Sequence, residues 1–300
     1  MIEIRELRKQ FGKICALDGI TATIQEGHIF GLIGSNGAGK STFLRILSGV
    51  LRADSGSVLV DGSSVYENPK IKQEICFLSD TAYFFPNATP HSMRDYYAEI
   101  YSSFDKKMFD ELAEKFQIET GRRVNTFSKG MKKQLSVLLG ICTRTKYLLC
   151  DETFDGLDPV MRQAVKSLFA AEVMERDFTP VIASHNLREL EDICDHVGLL
   201  HKGGILFTRD LEEMKFHIHK VQCVMKHSLD EENILRELEV LKSDKRGSLL
   251  TIIARGTRVE IMDCISEKDP LFAEVLPLSL EEIFISETEV AGYDITDFLV

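Results

Sequence analysis

No stretch of this 300-residue chain is apolar for long enough to cross a lipid bilayer. A membrane-spanning helix needs about 18 or more consecutive apolar residues. Residues 1–6 also lack the basic and apolar regions that form a signal peptide. From these two absences we expect a soluble intracellular protein.

Paired cysteines are missing as well. The chain has seven cysteines, an odd number, and none of them forms a C-x-x-C pair. Most lie within apolar runs, which favours reduced cysteines in the core of a cytosolic protein over a disulfide framework.

Positive charge is scarce, because 36 lysines and arginines face 47 acidic residues and the net charge is −11. This balance argues against wholesale binding to nucleic acid or to anionic lipid. The hydrophobic fraction of 44% is enough for a full core. A chain of this length allows one large domain, or a main domain with a smaller one attached.

The most informative stretch is 34–42, which fits the phosphate-loop pattern G-x-x-x-x-G-K-[ST] at every specified position. An apolar run at 28–33 predicts a buried strand before it, and apolar residues at helical spacing in 43–47 predict a helix after it. The alternative is a glycine-rich turn before an ordinary helix, but a chance match has a probability of roughly one per cent. The predicted phosphate-binding residues are Gly34, Ser35, Asn36, Gly37, Ala38, Gly39, Lys40, Ser41 and Thr42.

Two of these residues have a specific expected task. In phosphate loops the lysine reaches the β- and γ-phosphates, and the hydroxyl that follows binds Mg²⁺. These are the roles predicted for Lys40 and Ser41.

Strands and helices alternate through the first two thirds of the chain, which predicts a mostly parallel sheet covered on both faces. Residues 2–24 have the alternation of edge strands. The stretch 81–125 is rich in Phe and Tyr and has helical periodicity, so we place a helical insertion at about 81–135. Beyond 210 the pattern changes to that of a small βαββαβ module followed by a short helix with a serine cap.

An acidic pair closes one of the buried strands. Asp151 and Glu152 follow the apolar run 147–150, the position at which a phosphate-loop ATPase holds Mg²⁺ with an aspartate. Glu152 can then polarise an attacking water. Without the phosphate loop, a solvated acidic turn would be the default interpretation. His185, at another strand end, could donate to the γ-phosphate, although a lone histidine is more often a capping or core residue.

In this order the residues resemble the ATP-binding subunits of ABC transporters, over about residues 1–210. Ser128 and Gly130 match the family's signature motif, 23 residues before Asp151. Phe-Ser-Lys-Gly-Met at 127–131 is similar to the form found in bacterial export systems with separately encoded membrane subunits. The other similar positions are the adenine-stacking aromatic Phe11, the Walker B strand 148–152, the D-loop 156–159 and the switch histidine His185.

The resemblance implies an α/β fold with a P-loop NTPase core of ABC type, an antiparallel β subdomain and a helical insertion. This core would span 1–210, and 211–300 would form a small C-terminal α+β accessory module. The implied cofactors are ATP and Mg²⁺, and the catalytic residues would be Glu152, His185 and Lys40. The chain would be cytoplasmic and peripheral on the inner face of the membrane.

The resemblance also implies partners. Two ATPase subunits, identical or merely related, would face head to tail, and each ATP would lie between one phosphate loop and the partner's signature. Transmembrane permease subunits would dock on the helical insertion, and nucleic acid would not be a partner. The aromatic residues Tyr83, Phe84, Phe85, Tyr96, Tyr97 and Tyr101 suit such a docking groove, or equally the insertion's own small core.

Some positions depart from the family pattern. Asp80 stands where a glutamine normally contacts Mg²⁺, so it is the third predicted metal ligand beside Ser41 and Asp151. Lys129, Met131, Thr153 and Asp155 are further departures, and none removes a catalytic group.

Because every group with a direct catalytic role is present, we expect hydrolysis to survive these departures and to drive transport, in the export direction. One alternative is an ABC-type regulatory switch that binds ATP, dimerises and hydrolyses slowly. Another is a soluble ABC protein that acts on DNA or ribosomes. The chain has neither the long coiled-coil insertion nor the second cassette of such proteins, and its acidic charge argues further against this alternative.

Overall fold

The computed structural model describes residues 1–290, without the side chains of Leu206, Phe207, Ser228 and 287–290. The end of the predicted C-terminal module, 291–300, lies outside the described residues. The chain divides into two compact units, Met1–Thr208 and Arg209–Val300. Among the described residues, no helix combines the length and the apolar character needed to span a membrane.

The first 210 residues contain ten strands and seven helices. The strands are β1 (Ile2–Phe11), β2 (Ile14–Ile24), β3 (Phe30–Ile33), β4 (Ser55–Val60), β5 (Ser63–Ser64), β6 (Ile75–Leu78), β7 (Tyr147–Asp151), β8 (Thr179–Ser184), β9 (His196–His201) and β10 (Gly204–Asp210). The helices are α1 (Lys40–Leu47), α2 (Pro69–Lys72), α3 (Pro90–Ile100), α4 (Lys106–Lys115), α5 (Lys129–Cys142), α6 (Pro159–Glu175) and α7 (Leu187–Glu191), with a 3₁₀ turn at Val124–Thr126.

The six-stranded sheet has the order β10-β9-β3-β8-β7-β6. β3 pairs in parallel with β8 and β9, and β7 pairs in parallel with β6 and β8. Every residue of β7 and β8 is buried, as expected for central strands that are covered on both faces. The prediction of a mostly parallel sheet is therefore confirmed.

A second, antiparallel sheet has the order β2-β1-β4-β5. It shares one hydrophobic core with the parallel sheet. Phe43, Leu44 and Leu47 of α1 lie in this core, together with Ile2 and Ile4 of β1 and with residues of β3, β7 and β8. The helix that follows the phosphate loop is thus anchored by both sheets, as the fold class predicts.

The helical insertion has a core of its own, built around Phe109, Leu112 and Leu135. Capping residues set the starts of α3 and α4. The Thr89 side chain accepts a hydrogen bond from the Ser92 amide, and the Asp105 side chain accepts one from the Met108 amide. α7 ends in a turn, in which the amides of Ile193 and Cys194 both donate to the Leu190 backbone oxygen.

The C-terminal unit contains α8 (Leu211–His217), β11 (Ile218–Val224), α9 (Ser228–Glu237), β12 (Glu239–Arg246), β13 (Leu249–Arg255), α10 (Arg258–Ser266), β14 (Phe272–Leu276) and α11 (Leu280–Val290). Its antiparallel sheet has the order β12-β13-β11-β14. The run from β11 to β14 has the predicted βαββαβ pattern. Ser279 caps α11 by accepting a hydrogen bond from the Glu282 amide at 3.3 Å.

The packing of α6 leads to a stability prediction. Phe169 is fully buried and its ring lies 6.0 Å from the rings of both Phe154 and Phe178, whereas Met174 on the same helix is 88% exposed. Phe169→Ala should lower the free energy of unfolding by about 3–5 kcal/mol, because it leaves a cavity. Met174→Ala, the matched control, should cost less than about 0.5 kcal/mol.

Urea unfolding followed by tyrosine fluorescence measures this difference. The chain has no tryptophan, and six of its seven tyrosines lie in the Met1–Thr208 unit, so the signal reports mainly on that unit. Equal midpoints for the two variants would contradict the burial of Phe169.

Candidate functional site

The loop between β3 and α1 requires glycine at three positions, because of close backbone packing or a left-handed backbone conformation. A Cβ atom at Gly34 would lie 2.4 Å from the backbone oxygen of Leu200, which no side chain tolerates. Gly37 and Gly39 have φ angles of 83° and 108°, in the left-handed region that favours glycine. The close approach and the left-handed turns fit a backbone cradle for phosphate oxygens at the start of a helix.

Lys40 begins α1 and is buried, with 6% of its surface exposed. Its ammonium group donates to the backbone oxygens of Gly34 and Ser35, at 2.7 and 3.3 Å. The Glu152 carboxylate lies 3.2 Å from the same nitrogen. The structure therefore brings the loop lysine and the predicted catalytic glutamate into direct contact.

Strand register explains why distant residues meet here. Ile33 at the end of β3 pairs with Ser184 at the end of β8, and Asp151 at the end of β7 pairs with Ala183. The residues that follow these strand ends therefore emerge at one edge of the sheet. They include Gly34, Glu152 and His185, which are all predicted site residues.

Asp151 is a buried carboxylate that faces the loop. It is 1% exposed, and its Oδ1 accepts a hydrogen bond from the Ser41 hydroxyl at 3.0 Å. Burial raises the pKa of Asp151 above its ordinary value, because the charged form loses its hydration. A divalent cation beside this carboxylate would offset that loss.

The oxygen atoms of Ser41 and Asp151 are donors that Mg²⁺ accepts. Within residues 1–290, no cluster of three or more His, Cys, Asp or Glu side chains could hold a metal ion by itself. Proteins usually bind Mg²⁺ through one or two carboxylates, with substrate phosphates supplying further ligands.

Glu152 has a φ angle of 48°, a backbone conformation that few residues other than glycine adopt. Its amide donates to the Ala183 backbone oxygen at 3.0 Å. One carboxylate oxygen faces Lys40, and the other lies 2.9 Å from Nδ1 of His185. The side chain therefore lies between the loop ammonium and the histidine ring.

Phe11 ends β1 and is 47% exposed, with the Lys9 ammonium 5.4 Å from its ring centre. It borders a cavity of about 420 Å³ that also reaches the phosphate loop. The residues lining this cavity are Phe11, Ile14, Ala16, Ser35, Asn36, Gly37, Gly39, Lys40, Ser41, Thr42, Asp80 and Glu152. A single cavity thus joins the predicted adenine-stacking aromatic to Lys40 and Glu152, two of the three predicted catalytic residues, whereas His185 is not among the lining residues.

Ser128 and Gly130 lie apart from these residues, and neither is among those that line the cavity. Ser128 is exposed and caps α5, where its Oγ accepts a hydrogen bond from the Met131 amide at 3.2 Å. A Cβ atom at Gly130 would lie 3.0 Å from the Gly156 oxygen, so the start of α5 packs closely against the loop after β7.

The predicted metal ligand Asp80 borders the cavity, and it also has a protein partner. Its Oδ1 lies 3.0 Å from the ammonium group of Lys133, which is 4% exposed. The same ammonium donates to the backbone oxygen of Glu152. Lys133 was not predicted from the sequence. The only sequence feature that indicates its burial is helical spacing, since Lys133 lies four residues before Val137 on the buried face of α5.

The aromatic residues of the insertion divide into two groups. Tyr83, Phe85 and Tyr96 are 76%, 42% and 42% exposed, and their rings meet edge to face at 6.0 and 4.7 Å. Phe84 and Tyr97, by contrast, pack against the insertion's core. We refer to Tyr83, Phe85 and Tyr96 as the aromatic patch.

Comparison with known proteins adds a family to this geometry. The family model described as ABC transporter matches residues 17–155. The chain is 34% identical to the ABC transporter ATP-binding protein YtrB of Bacillus subtilis (strain 168), over 96% of this chain and 98% of that protein. It is 33% identical to the bacitracin transport ATP-binding protein BcrA of Bacillus licheniformis, over 72% of this chain and 71% of that protein.

A solved structure supports the fold. The ATP-binding cassette MJ0796, in a dimeric post-hydrolysis state bound to ADP and Pi, superposes with a TM-score of 0.63. The match covers 70% of this chain and 99% of that chain at 19% sequence identity, so the likeness concerns the fold alone.

The close approach at Gly34 gives a direct test of the loop. Gly34→Ala should weaken the binding of a fluorescent ATP analogue roughly tenfold or more, because the new methyl group displaces the loop backbone. Gly121→Ala is the matched control, since no atom lies within 4 Å of a Cβ atom there. Fluorescence titration of both variants makes the comparison. Unaltered affinity in Gly34→Ala would show that the loop does not form the nucleotide site.

Proposed function

The chain belongs to the ABC transporter family of ATP-binding proteins, and on that premise we propose that it is the ATP-hydrolysing subunit of an exporter, working as a dimer with separate transmembrane subunits. The observation that carries the proposal is the position of Glu152. Its carboxylate lies between Lys40 of the phosphate loop and His185 of the neighbouring strand end.

Each predicted site residue has a task in this proposal. The phosphate loop and Lys40 bind the ATP phosphates, and Phe11 stacks on the adenine. Ser41, Asp151 and Asp80 hold Mg²⁺, which when bound neutralises charge on the phosphate oxygens. Glu152 accepts a proton from the attacking water, and His185 holds the glutamate in place from the other side.

The proposed dimer completes the site from a second subunit, either a second copy of the chain or a related ATPase. Ser128 is exposed at the N-terminus of the 14-residue helix α5, where amide groups and the helix dipole favour an anion. We infer that this end binds the γ-phosphate held by the partner subunit. ATP then joins the two subunits, and hydrolysis separates them.

Export is the direction favoured by the Phe-Ser-Lys-Gly-Met form of 127–131, and the bacitracin transport protein BcrA is a relative that supports a transport role. We propose that the aromatic patch receives the transmembrane subunits, which hold the chain at the inner face of the membrane. Exposed apolar surface of this kind is typical of interaction sites. The transported substrate then crosses through the membrane subunits without touching this chain.

The second candidate is the slow regulatory switch, and one contact favours it. Asp80, which stands in place of the family's glutamine, already has an ion-pair partner in Lys133. If that pair keeps Asp80 from Mg²⁺, hydrolysis slows while ATP binding and dimerisation continue. The rate of turnover separates the two candidates.

Replacement of the proposed base tests the main proposal. Glu152→Gln should lower ATP turnover by roughly two to four orders of magnitude, because the amide cannot accept the proton from water. ATP binding should persist, so this variant should form a dimer with ATP, while the wild type hydrolyses ATP and stays mostly monomeric. Size-exclusion chromatography with light scattering, beside a phosphate-release assay, measures both.

Two control variants complete this experiment. Glu114→Gln makes the same chemical change on the exposed face of α4 and should behave as the wild type. Lys40→Met should abolish the ATP-dependent dimer. A wild type trapped as an ATP dimer without turnover would favour the slow switch. The absence of an ATP dimer in both wild type and Glu152→Gln would contradict the homodimer and indicate an obligate second subunit.

The aromatic patch is tested separately. Tyr83→Ser with Phe85→Ser should reduce the membrane-bound share of the protein roughly tenfold, because interface aromatics contribute most of the binding energy. Fractionation of cells that express the chain from its own gene measures this share. Leu229→Ser removes an apolar side chain that is 70% exposed elsewhere and should change nothing. Loss of ATP-dependent dimerisation in the patch variant would contradict the assignment.

A further inference from the structure

Lys133 is a buried lysine whose ammonium group has two acceptors from different parts of the chain. One is the Asp80 carboxylate after β6, at 3.0 Å, and the other is the backbone oxygen of Glu152 after β7. A buried ammonium group is costly unless it is paired and hydrogen-bonded. The pair of acceptors therefore fixes where the lysine lies, and the lysine in turn fixes the two segments that it joins.

Further contacts tie the start of α5 to the loop after β7. Gly130 approaches the backbone oxygen of Gly156 so closely that a Cβ atom would lie 3.0 Å away. The ammonium group of Lys129 lies 4.0 Å from the Asp155 carboxylate. The first turns of α5 thus contact the loop after β7 through three residues: Lys129 and Gly130 approach Asp155 and Gly156, and Lys133 binds Glu152.

The contact with Glu152 acts on the peptide group that orients its side chain. Glu152 is in the left-handed region, with φ at 48°, a conformation that costs energy and persists only where neighbours hold it. The Ala183 oxygen holds its amide, and its own oxygen accepts from the Asp155 amide at 3.3 Å as well as from Lys133. Lys133 is thus one of the groups that keep the carboxylate directed at Lys40 and His185.

We propose that Lys133 is a positioning residue that joins, within one chain, the signature end of α5 to the catalytic peptide of Glu152 and to Asp80. This inference rests on the proposed function. Ser128 at the start of α5 serves the nucleotide of the partner subunit, and Glu152 serves the nucleotide of its own subunit. Ser128 and Lys133 are five positions apart on the same helix, α5. In the proposed dimer this short stretch of helix therefore connects the two ATP sites.

Lys133→Met tests the proposal, because methionine keeps an unbranched side chain of similar length and removes the charge. Hydrogen exchange of the amides in 153–158 should become faster in the nucleotide-free protein, since the turn after Glu152 loses one of its anchors. The turnover number should fall about tenfold while the dissociation constant for ATP changes less than about twofold, as for other residues that orient a catalytic group. Lys133→Arg, which retains the charge, should restore part of the turnover.

Lys166→Met is the matched control. Lys166 is also a buried lysine, 6% exposed, and it pairs with an exposed aspartate, Asp192, at 3.2 Å, but it lies on α6. The Lys166→Met variant should leave both the hydrogen exchange of the amides in 153–158 and the turnover number unchanged. Equal effects in the two variants would reduce Lys133 to a general stabilising residue and overturn the proposal.

The link to the signature end is measured in the Glu152→Gln background. Adding Lys133→Met should raise the protein concentration needed for the ATP-dependent dimer about tenfold, and adding Lys166→Met should not. An unaltered midpoint would overturn the link. If Glu152→Gln forms no ATP dimer at all, the proposed dimer fails by that result, and exchange of 153–158 still decides whether Lys133 positions Glu152.

Discussion

The site depends on one constraint: β3 and β7 lie on either side of β8, and each pairs with it in parallel. This register places Gly34, Glu152 and His185 directly after three adjacent strand ends. Residues more than 100 positions apart in the sequence thereby meet within hydrogen-bond distance, as Ser41 and Asp151 do at 3.0 Å. A shift of any one strand by a single residue would turn its terminal side chain to the opposite face of the sheet.

Buried charge is the cost of this arrangement, and each buried group is matched to a partner. Lys40 faces Glu152, Asp151 accepts from Ser41, and Lys133 faces Asp80. Removing the partner of a buried charge leaves that charge without compensation, which destabilises the folded chain. The contacts that orient the predicted catalytic groups are therefore also needed to accommodate the charges buried around them.

The sequence predicts those parts of the site whose chemistry depends on neighbouring residues. The phosphate loop is recognisable because its glycines, Lys40 and Ser41 follow one another, and Asp151 with Glu152 because they end an apolar run. Lys133 was missed because its acceptors come from other elements, and nothing near it in sequence identifies them. The aromatic residues of the insertion look alike in the sequence. Only the structure shows which of them pack against the insertion's core and which are exposed on its surface.

The contacts of Lys40 connect phosphate binding with the proposed base. Its ammonium group donates to the backbone oxygens of Gly34 and Ser35, at 2.7 and 3.3 Å, and forms an ion pair with the Glu152 carboxylate at 3.2 Å. The two backbone oxygens belong to the loop itself, whereas Glu152 approaches from another strand end. Under the proposed function, a phosphate oxygen bound to Lys40 would compete with the Glu152 carboxylate for the ammonium group. The released carboxylate oxygen would then accept a proton from water while the other stays beside His185, so that phosphate binding would free the proposed base.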